Sequence, residues 1–305
     1  MLNPVANACI IFAIILLNCK ATNDKKEKDY PNNEKISGYN FTKPDRIIEL
    51  PYELSEISGI TPIDTNTLAC IQDESGVLYL YNLSSNEIKN RFTFYDKGDF
   101  EDITRVDTSM YILRSNATLF EISNYVADPT KVNLYIMGIE ALDNEGLCYD
   151  KDHDRLLVAS KGNSGKGSGL KNIRDIYAFD LKTKTLVETP VFKFDERIIK
   201  QFALDHKIEV PVKQNKNGEN EPDIKFRPTA ICIHPITKKL FLLSGPDHGI
   251  FIFSTDGTLE YFEILNPDLF NQAEGLTFLE NGDLLISNEA GEKKPTILRF
   301  NYNSK

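Results

Sequence analysis

Asn144-Glu145-Gly146-Leu147 and Ala273-Glu274-Gly275-Leu276 are two copies of one local pattern. A small or acidic residue is followed by a small residue or Asp, and then by an aliphatic residue. The pattern recurs as Ser58-Gly59-Ile60, Glu101-Asp102-Ile103 and Thr229-Ala230-Ile231. In chain order, the first members of the five copies lie 43, 44, 84 and 45 residues apart. After each copy come a turn and a second apolar run that ends in polar residues. Those ends are Gln72-Asp73-Glu74, Arg114-Ser115-Asn116, Ser160-Lys161, Ser244-Gly245-Pro246-Asp247 and Ser287-Asn288-Glu289. A period in the forties with four short strands per unit is the signature of a β-propeller.

The rest of the chain from Arg46 onward fits that reading. Apolar runs at 67–71, 77–81, 155–159, 176–179, 240–243, 250–253 and 284–286 are separated by turns such as Asp256-Gly257 and Asn281-Gly282. Runs this short and this dense mean an all-β fold. The 84-residue interval holds either a sixth blade or one blade with an insertion. Within 194–226 there is no second set of turns and strands. Residues 196–206 instead read as a helix with Ile198, Ile199 and Phe202 on one face, and residues 213–221 read as a polar loop. The expectation is five four-stranded blades with a helical and loop insertion at about 195–225, six blades being the alternative. The last copy supplies three strands before residue 305. A strand at 45–50 is expected to complete that blade and remove an open sheet edge.

The first 18 residues carry no charged side chain. The apolar run at 8–17 is too short to span a bilayer, which takes about 20 residues, but suits the core of a signal peptide. Leu16-Leu17-Asn18-Cys19 resembles a bacterial lipobox, which makes Cys19 the expected lipidated residue. No Lys or Arg precedes it, and Asn18 is larger than the usual small residue, so plain secretion and an uncleaved anchor are the alternatives. Residues 20–40 are too polar to fold alone and read as a tether. The expected division is therefore 1–18 signal peptide, 19–44 lipid attachment and tether, 45–305 propeller. The expectation is an exported, monomeric envelope protein lipid-anchored to a membrane.

A net charge of -10 argues against a nucleic-acid partner. Cys70, Cys148 and Cys232 sit within apolar runs and read as buried thiols, without the spacing of a zinc site. The four histidines are scattered. The glycine-rich stretch 162–169 lacks the spacing of a phosphate loop and reads as a loop at the rim.

In a propeller the first strand of each blade lines the central channel, so Ser58, Glu101, Glu145, Thr229 and Glu274 are expected to face one another. Side chains two residues earlier point the same way: Glu56, Asp99, Asp143, Arg227 and Gln272. At an effective dielectric near 20, each close carboxylate pair costs on the order of 2–4 kcal/mol. Protonation, pairing with a basic side chain, or a bound cation relieves this. Oxygen-only donors favour Ca²⁺ over Mg²⁺. The expected ligands are Glu101, Glu145 and Glu274, with Glu56, Asp73 and Glu289 completing the shell. The alternative is that these acids brace one blade against the next. Arg114, Lys161 and Arg227 lie near the expected channel mouth, where they either hold an anionic ligand group or offset the acids.

These five repeats, in this order and spacing, resemble the SdiA-regulated (YjiK-like) propeller family over residues 47–300. The resemblance implies a five-bladed, calcium-bound propeller on an exported protein, and no established reaction. Strand starts of the Glu-Gly-Leu type also resemble those of esterase-like phytases and gluconolactonase-like propellers. Two functions follow as expectations. One is a calcium-stabilised envelope module that binds a ligand or protein partner. The other is a metal-dependent hydrolase of phosphoesters or lactones, with Arg227 or Lys161 as anion clamp.

Overall fold

Five four-stranded antiparallel sheets follow one another along the chain. They were examined in a computed structural model, which describes residues 37–125, 131–141, 143–165 and 169–303. The expected signal peptide, Cys19 and most of the expected tether lie outside the described residues.

Strand β1 (Arg46–Glu49) comes first in the chain but belongs to the last blade. Blade 1 is β2 (Ile57–Pro62), β3 (Thr67–Gln72), β4 (Ser75–Asn82) and β5 (Glu87–Lys97). Blade 2 is β6 (Phe100–Val106), β7 (Ser109–Arg114), β8 (Thr118–Ile122) and β9 (Val132–Ile136). Blade 3 is β10 (Asn144–Asp150), β11 (Arg155–Ser160), β12 (Ile173–Asp180) and β13 (Thr185–Asp195). An insertion follows, consisting of α1 (Glu196–Asp205), β14 (Val212–Gln214) and β15 (Asn220–Pro222). Blade 4 is β16 (Ala230–Ile233), β17 (Leu240–Ser244), β18 (Gly249–Phe253) and β19 (Leu259–Ile264). Blade 5 is β20 (Ala273–Phe278), β21 (Leu284–Asn288) and β22 (Thr296–Phe300).

The innermost strands close a ring: β2 touches β6, β6 touches β10, β10 touches β16, β16 touches β20, and β20 returns to β2. Blade 5 is completed as expected. Strand β1 pairs antiparallel with β22, Arg46 opposite Arg299 and Glu49 opposite Thr296. The edge that β22 would otherwise present is thereby covered.

Burial explains why the strands form where they do. Inner strands are buried almost throughout, as in β2 and β10, polar residues included. Outer strands β5 and β13 are largely exposed. The core is divided into five hydrophobic clusters, one at each interface between neighbouring blades. Blade-to-blade packing is therefore where the apolar surface goes.

Three details differ from the sequence reading. The expected tether ran to residue 44, but Tyr39 and Phe41 are buried in the cluster between blades 4 and 5, and the Tyr39 hydroxyl donates to the Gly282 carbonyl. Aromatic side chains in a polar stretch were the available signal. In α1, capped by the Asp195 carboxylate on the Arg197 amide, Ile199 and Ala203 are buried while Ile198 is 64% exposed. Ile198 is one residue, about 100° of turn, away from Ile199. Finally, the polar loop at 213–221 contains a hairpin, β14 against β15. The Asn215 side chain accepts from the Asn217 and Glu219 amides, and Gly218 takes φ +79° in the turn, as side-chain-closed turns do. Among the described residues, no helix is long and apolar enough to cross a membrane.

Candidate functional site at the channel mouth

Each innermost strand except β16 starts with a β-bulge at the repeat position. In β6, Glu101 is the extra residue between the Phe100–Arg114 and Asp102–Leu113 pairs. In β10, Glu145 is the extra residue between Asn144–Ser160 and Gly146–Ala159. In β20, Glu274 and Gly275 together oppose the single residue Ser287; in β2, Ser58 and Gly59 oppose Ile71. A bulge frees a side chain from the pleat's alternation and re-aims it. Here it turns three glutamates out of the ladder toward one another.

The glycines that follow three of the four bulges, Gly59, Gly146 and Gly275, meet close approaches from the neighbouring blade. A Cβ on Gly59 would lie 2.7 Å from the Asp102 Cα and the Ile103 nitrogen. One on Gly275 would lie 2.4 Å from Ser287 Oγ and 2.7 Å from the Ser58 carbonyl oxygen. The room left by Gly59 is used by Asp102, whose carboxylate accepts from its neighbour Ile103 N (2.8 Å) and, across the interface, from Leu147 N of blade 3 (2.7 Å). Ser58 Oγ likewise donates across to the Phe100 carbonyl (2.7 Å). Ser58 and Asp102 are thus braces between blades. The bracing role of Asp102 was missed in the sequence; its signal was an acid where the other copies carry Gly or Ala.

The three glutamates share one electrostatic environment. Burial first, then the charges of Glu145, Asp99 and Glu274, push Glu101 up to about 9. Burial first, then Glu145 and Glu289, push Glu274 up to about 8, while the Thr229 hydroxyl holds it back. Glu145 is also raised by burial, opposed by its bond to Lys161, 2.6 Å from Nζ to Oε1. Burial works against the Lys161 charge, but Glu145, Glu274 and Glu101 together hold that ammonium above its usual range. The ring is therefore a buried acid cluster centred on one ammonium, with Lys161 supplied by the end of β11.

A second acidic group lies beside the first, between blades 1 and 5. Glu56 precedes β2, Asp73 follows β3 and Glu289 follows β21. The Asp73 amide donates to the Glu56 carbonyl (3.1 Å), and the Glu289 amide to the Gln272 carbonyl (2.9 Å), which fixes the three backbones. Each of the three offers a carboxylate oxygen, and these atoms lie within 4.8 Å of one another. Asp73 Oδ1 is buried and has no hydrogen-bond partner among the described residues. Burial first, then Glu56 and Glu74, push Asp73 up to about 6; burial first, then Glu56 and Asp73, push Glu289 up to about 7. Three oxygen donors this close, one of them orphaned, fit a hard divalent cation. Among the described residues, no basic side chain is bonded to this trio in the way that Lys161 is bonded to Glu145.

The expected basic residues separate. Lys161 is bonded to Glu145. Arg227 makes a two-pronged pair with Asp247, Nε to Oδ2 at 3.1 Å and Nη2 to Oδ1 at 2.8 Å, and Ser244 Oγ also donates to Asp247 (2.9 Å). Arg114 ends β7 opposite Phe100, next to the Glu101 bulge. Thr229 replaces an acid in the ring, its Oγ1 accepting from the Gly245 amide at 3.3 Å. His234 is fully buried, with Nδ1 accepting from the Ile236 and Thr237 amides (3.1 Å each), and burial pushes it down to about 4. It is a neutral structural residue away from the acids. Cys70 and Cys148 are buried and Cys232 partly so, and all three are free thiols.

No protein-family model matches the chain, and no curated protein sequence does. Among solved structures it is similar to a protein of unknown function from Bacteroides thetaiotaomicron (TM-score 0.49, 14% identity, covering 83% of this chain and 58% of that one). It is also similar to a luciferin-regenerating enzyme (TM-score 0.47, 13% identity, 85% of this chain and 95% of that one) and to a streptogramin B lyase (TM-score 0.43, 12% identity, 84% and 72%). None of the three reaches a TM-score of 0.5, and the propeller assignment rests on the five sheets themselves.

Proposed function

We propose that this chain is an exported, membrane-tethered, calcium-binding propeller of the SdiA-regulated type, acting as a ligand- or protein-binding module in the bacterial cell envelope. The observation that carries the cation is the Glu56, Asp73 and Glu289 trio, with its donor atoms within 4.8 Å and its orphaned Asp73 oxygen. The trio joins blade 1 to blade 5, the seam where the ring closes. A bound Ca²⁺ would be held by these three carboxylates and would supply positive charge that favours the ionised forms of Asp73 and Glu289. Glu101, Glu145 and Glu274 were expected as the principal ligands. With Lys161 already among them, they are assigned here as the neighbouring acid cluster, which shapes the field at the mouth. Export and the tether are supported by the uncharged first 18 residues and by Cys19. Labelling with a radioactive fatty acid tests the anchor: Cys19→Ser should abolish incorporation, and undiminished incorporation would exclude Cys19. Elemental analysis of protein purified without chelator should find about one calcium per chain, and none would remove the metal from the account.

The hydrolase reading keeps one supporting observation. Glu101 and Glu274 are pushed to about 9 and about 8, so they carry protons at neutral pH beside the Glu145–Lys161 pair. A protonated acid next to an ionised one is the arrangement of general acid–base catalysis. Turnover of phosphoesters or lactones with Ca²⁺, Mn²⁺ or Zn²⁺ added, lost in Glu145→Gln, would establish it. No turnover across that panel would leave binding as the function.

A further inference from the structure

A buried arginine outside both acid clusters stands out. Arg174 is the second residue of β12 and is only 6% exposed. Its Nη1 donates to the Lys171 and Ile173 carbonyls, at 3.2 and 3.1 Å. Its Nε is buried and has no partner among the described residues. Neutral carbonyls do not cancel a positive charge, and a desolvated guanidinium without a bonded carboxylate is destabilising. The two acids whose charges favour Arg174 are committed elsewhere. Glu196 pairs with Lys200 (2.8 Å) and Asp247 with Arg227 (2.8 Å). Arg227 itself is near enough to repel Arg174.

The topology places these groups on the face of the propeller that carries the channel mouth. Ser160, at the end of β11, pairs with Asn144 at the start of β10, and Lys161 follows it. Ile173, at the start of β12, pairs with Asp195 at the end of β13. Strands β10 and β12 therefore start, and β11 and β13 end, on that face. Arg227 precedes β16 and its amide donates to Ser244 Oγ at the end of β17 (3.0 Å), on the same side of blade 4. Arg174, Arg227 and Lys161 thus occupy adjoining positions over blades 3 and 4.

We infer that Arg174 is the primary arm of an anion subsite beside the channel mouth, with Arg227 as its flank, and that it binds the phosphate or carboxylate of a small ligand. An oxyanion would supply the counter-charge that the Arg174 guanidinium lacks among the described residues, and the planar fork of an arginine matches such groups. The subsite lies over blades 3 and 4 and does not depend on the cation at blades 1 and 5. It extends the proposed binding role by naming the charge of the ligand group that docks there.

The test uses the purified full chain in a chloride-free, chelator-containing buffer, titrated with inorganic phosphate and, separately, with acetate. Binding is followed by calorimetry and by Tm. The expected result is a saturable rise in Tm with at least one of the two anions, and a loss of affinity of at least about tenfold in both Arg174→Met and Arg174→Lys. Lys keeps the charge but cannot present two parallel donors. The stronger anion identifies the ligand group. Arg174→Met should also raise the Tm of the anion-free protein, because it removes an uncompensated buried charge. Wild-type anion affinity should be the same in chelator and in Ca²⁺-containing buffer, which separates this subsite from the cation reading. Equal anion response in wild type and Arg174→Lys, or no saturable response in wild type to either anion, would overturn the proposal and make Arg174 a structural residue.

Discussion

At the scale of single residues, one position in each repeat carries most of the physics. Where glycine follows the bulge, as at Gly59 and Gly275, backbone of the next blade lies against it. Gly59→Ala should lower stability by about 1–3 kcal/mol, since its Cβ would fall 2.7 Å from backbone atoms of blade 2. Gly169→Ala, where nothing lies within 4 Å, should change stability by no more than about 0.5 kcal/mol. Urea denaturation of both variants checks the contrast, and equal effects would mean that the close approach is not what selects glycine. Asp102→Ala leaves the buried Leu147 and Ile103 amides without acceptors and should cost about 2–3 kcal/mol by the same measurement.

The acids themselves give a pH dependence whose sign is fixed. Asp73, Glu289, Glu274 and Glu101 have folded values of about 6, 7, 8 and 9, above their ordinary values. Between its ordinary and its raised value, each binds more protons folded than unfolded, so stability falls as pH rises. The contribution is complete below about pH 4 and is lost progressively as pH rises, the last of it, from Glu101, as pH passes through about 9. Chelator-treated protein should therefore lose Tm steadily from pH 5 to 9. Saturating Ca²⁺ should restore most of the loss that belongs to Asp73 and Glu289. A Tm that rises with pH in chelator would contradict the burial of these acids.

At the scale of elements, what was legible in the sequence was whatever repeats. The period of the Glu-Gly-Leu-type starts marked the inner strands, and the missing fourth strand of the last repeat pointed to 45–50, where β1 lies. What escaped was set by contacts between segments far apart in the chain. Tyr39 and Phe41 look like part of a polar tether until blades 4 and 5 offer them a cleft. Ile198 could not be told from Ile199 without knowing which side of α1 meets the blade. Arg174 carried no sequence signal, because its meaning lies in the absence of a carboxylate partner. Deleting residues 37–50 should expose the β22 edge and empty the aromatic cleft, so that the chain elutes as aggregates in size-exclusion chromatography. A monomeric, equally stable deletion variant would mean that β1 is not needed for closure.

At the scale of the whole molecule, five blades put unlike groups at equivalent heights around one opening. The repeat predicted that acids would gather there, and they do. It did not predict their partition. Lys161, from the second strand of blade 3, sits among the ring glutamates, whereas Glu56, Asp73 and Glu289 come together at the seam of blades 1 and 5 with no such partner. The partition follows from where a basic residue ends a strand, a detail below the resolution of a repeat pattern. It favours the seam over the ring as the place of the proposed cation. The central claim is that cation site. Its most direct measurement is calorimetric titration of Ca²⁺ into chelator-stripped protein at pH 8, comparing wild type with Glu289→Gln and Glu101→Gln. Wild type should show one site, Glu289→Gln should lose binding, and Glu101→Gln should retain it. No binding in wild type, or loss in Glu101→Gln with retention in Glu289→Gln, would contradict it.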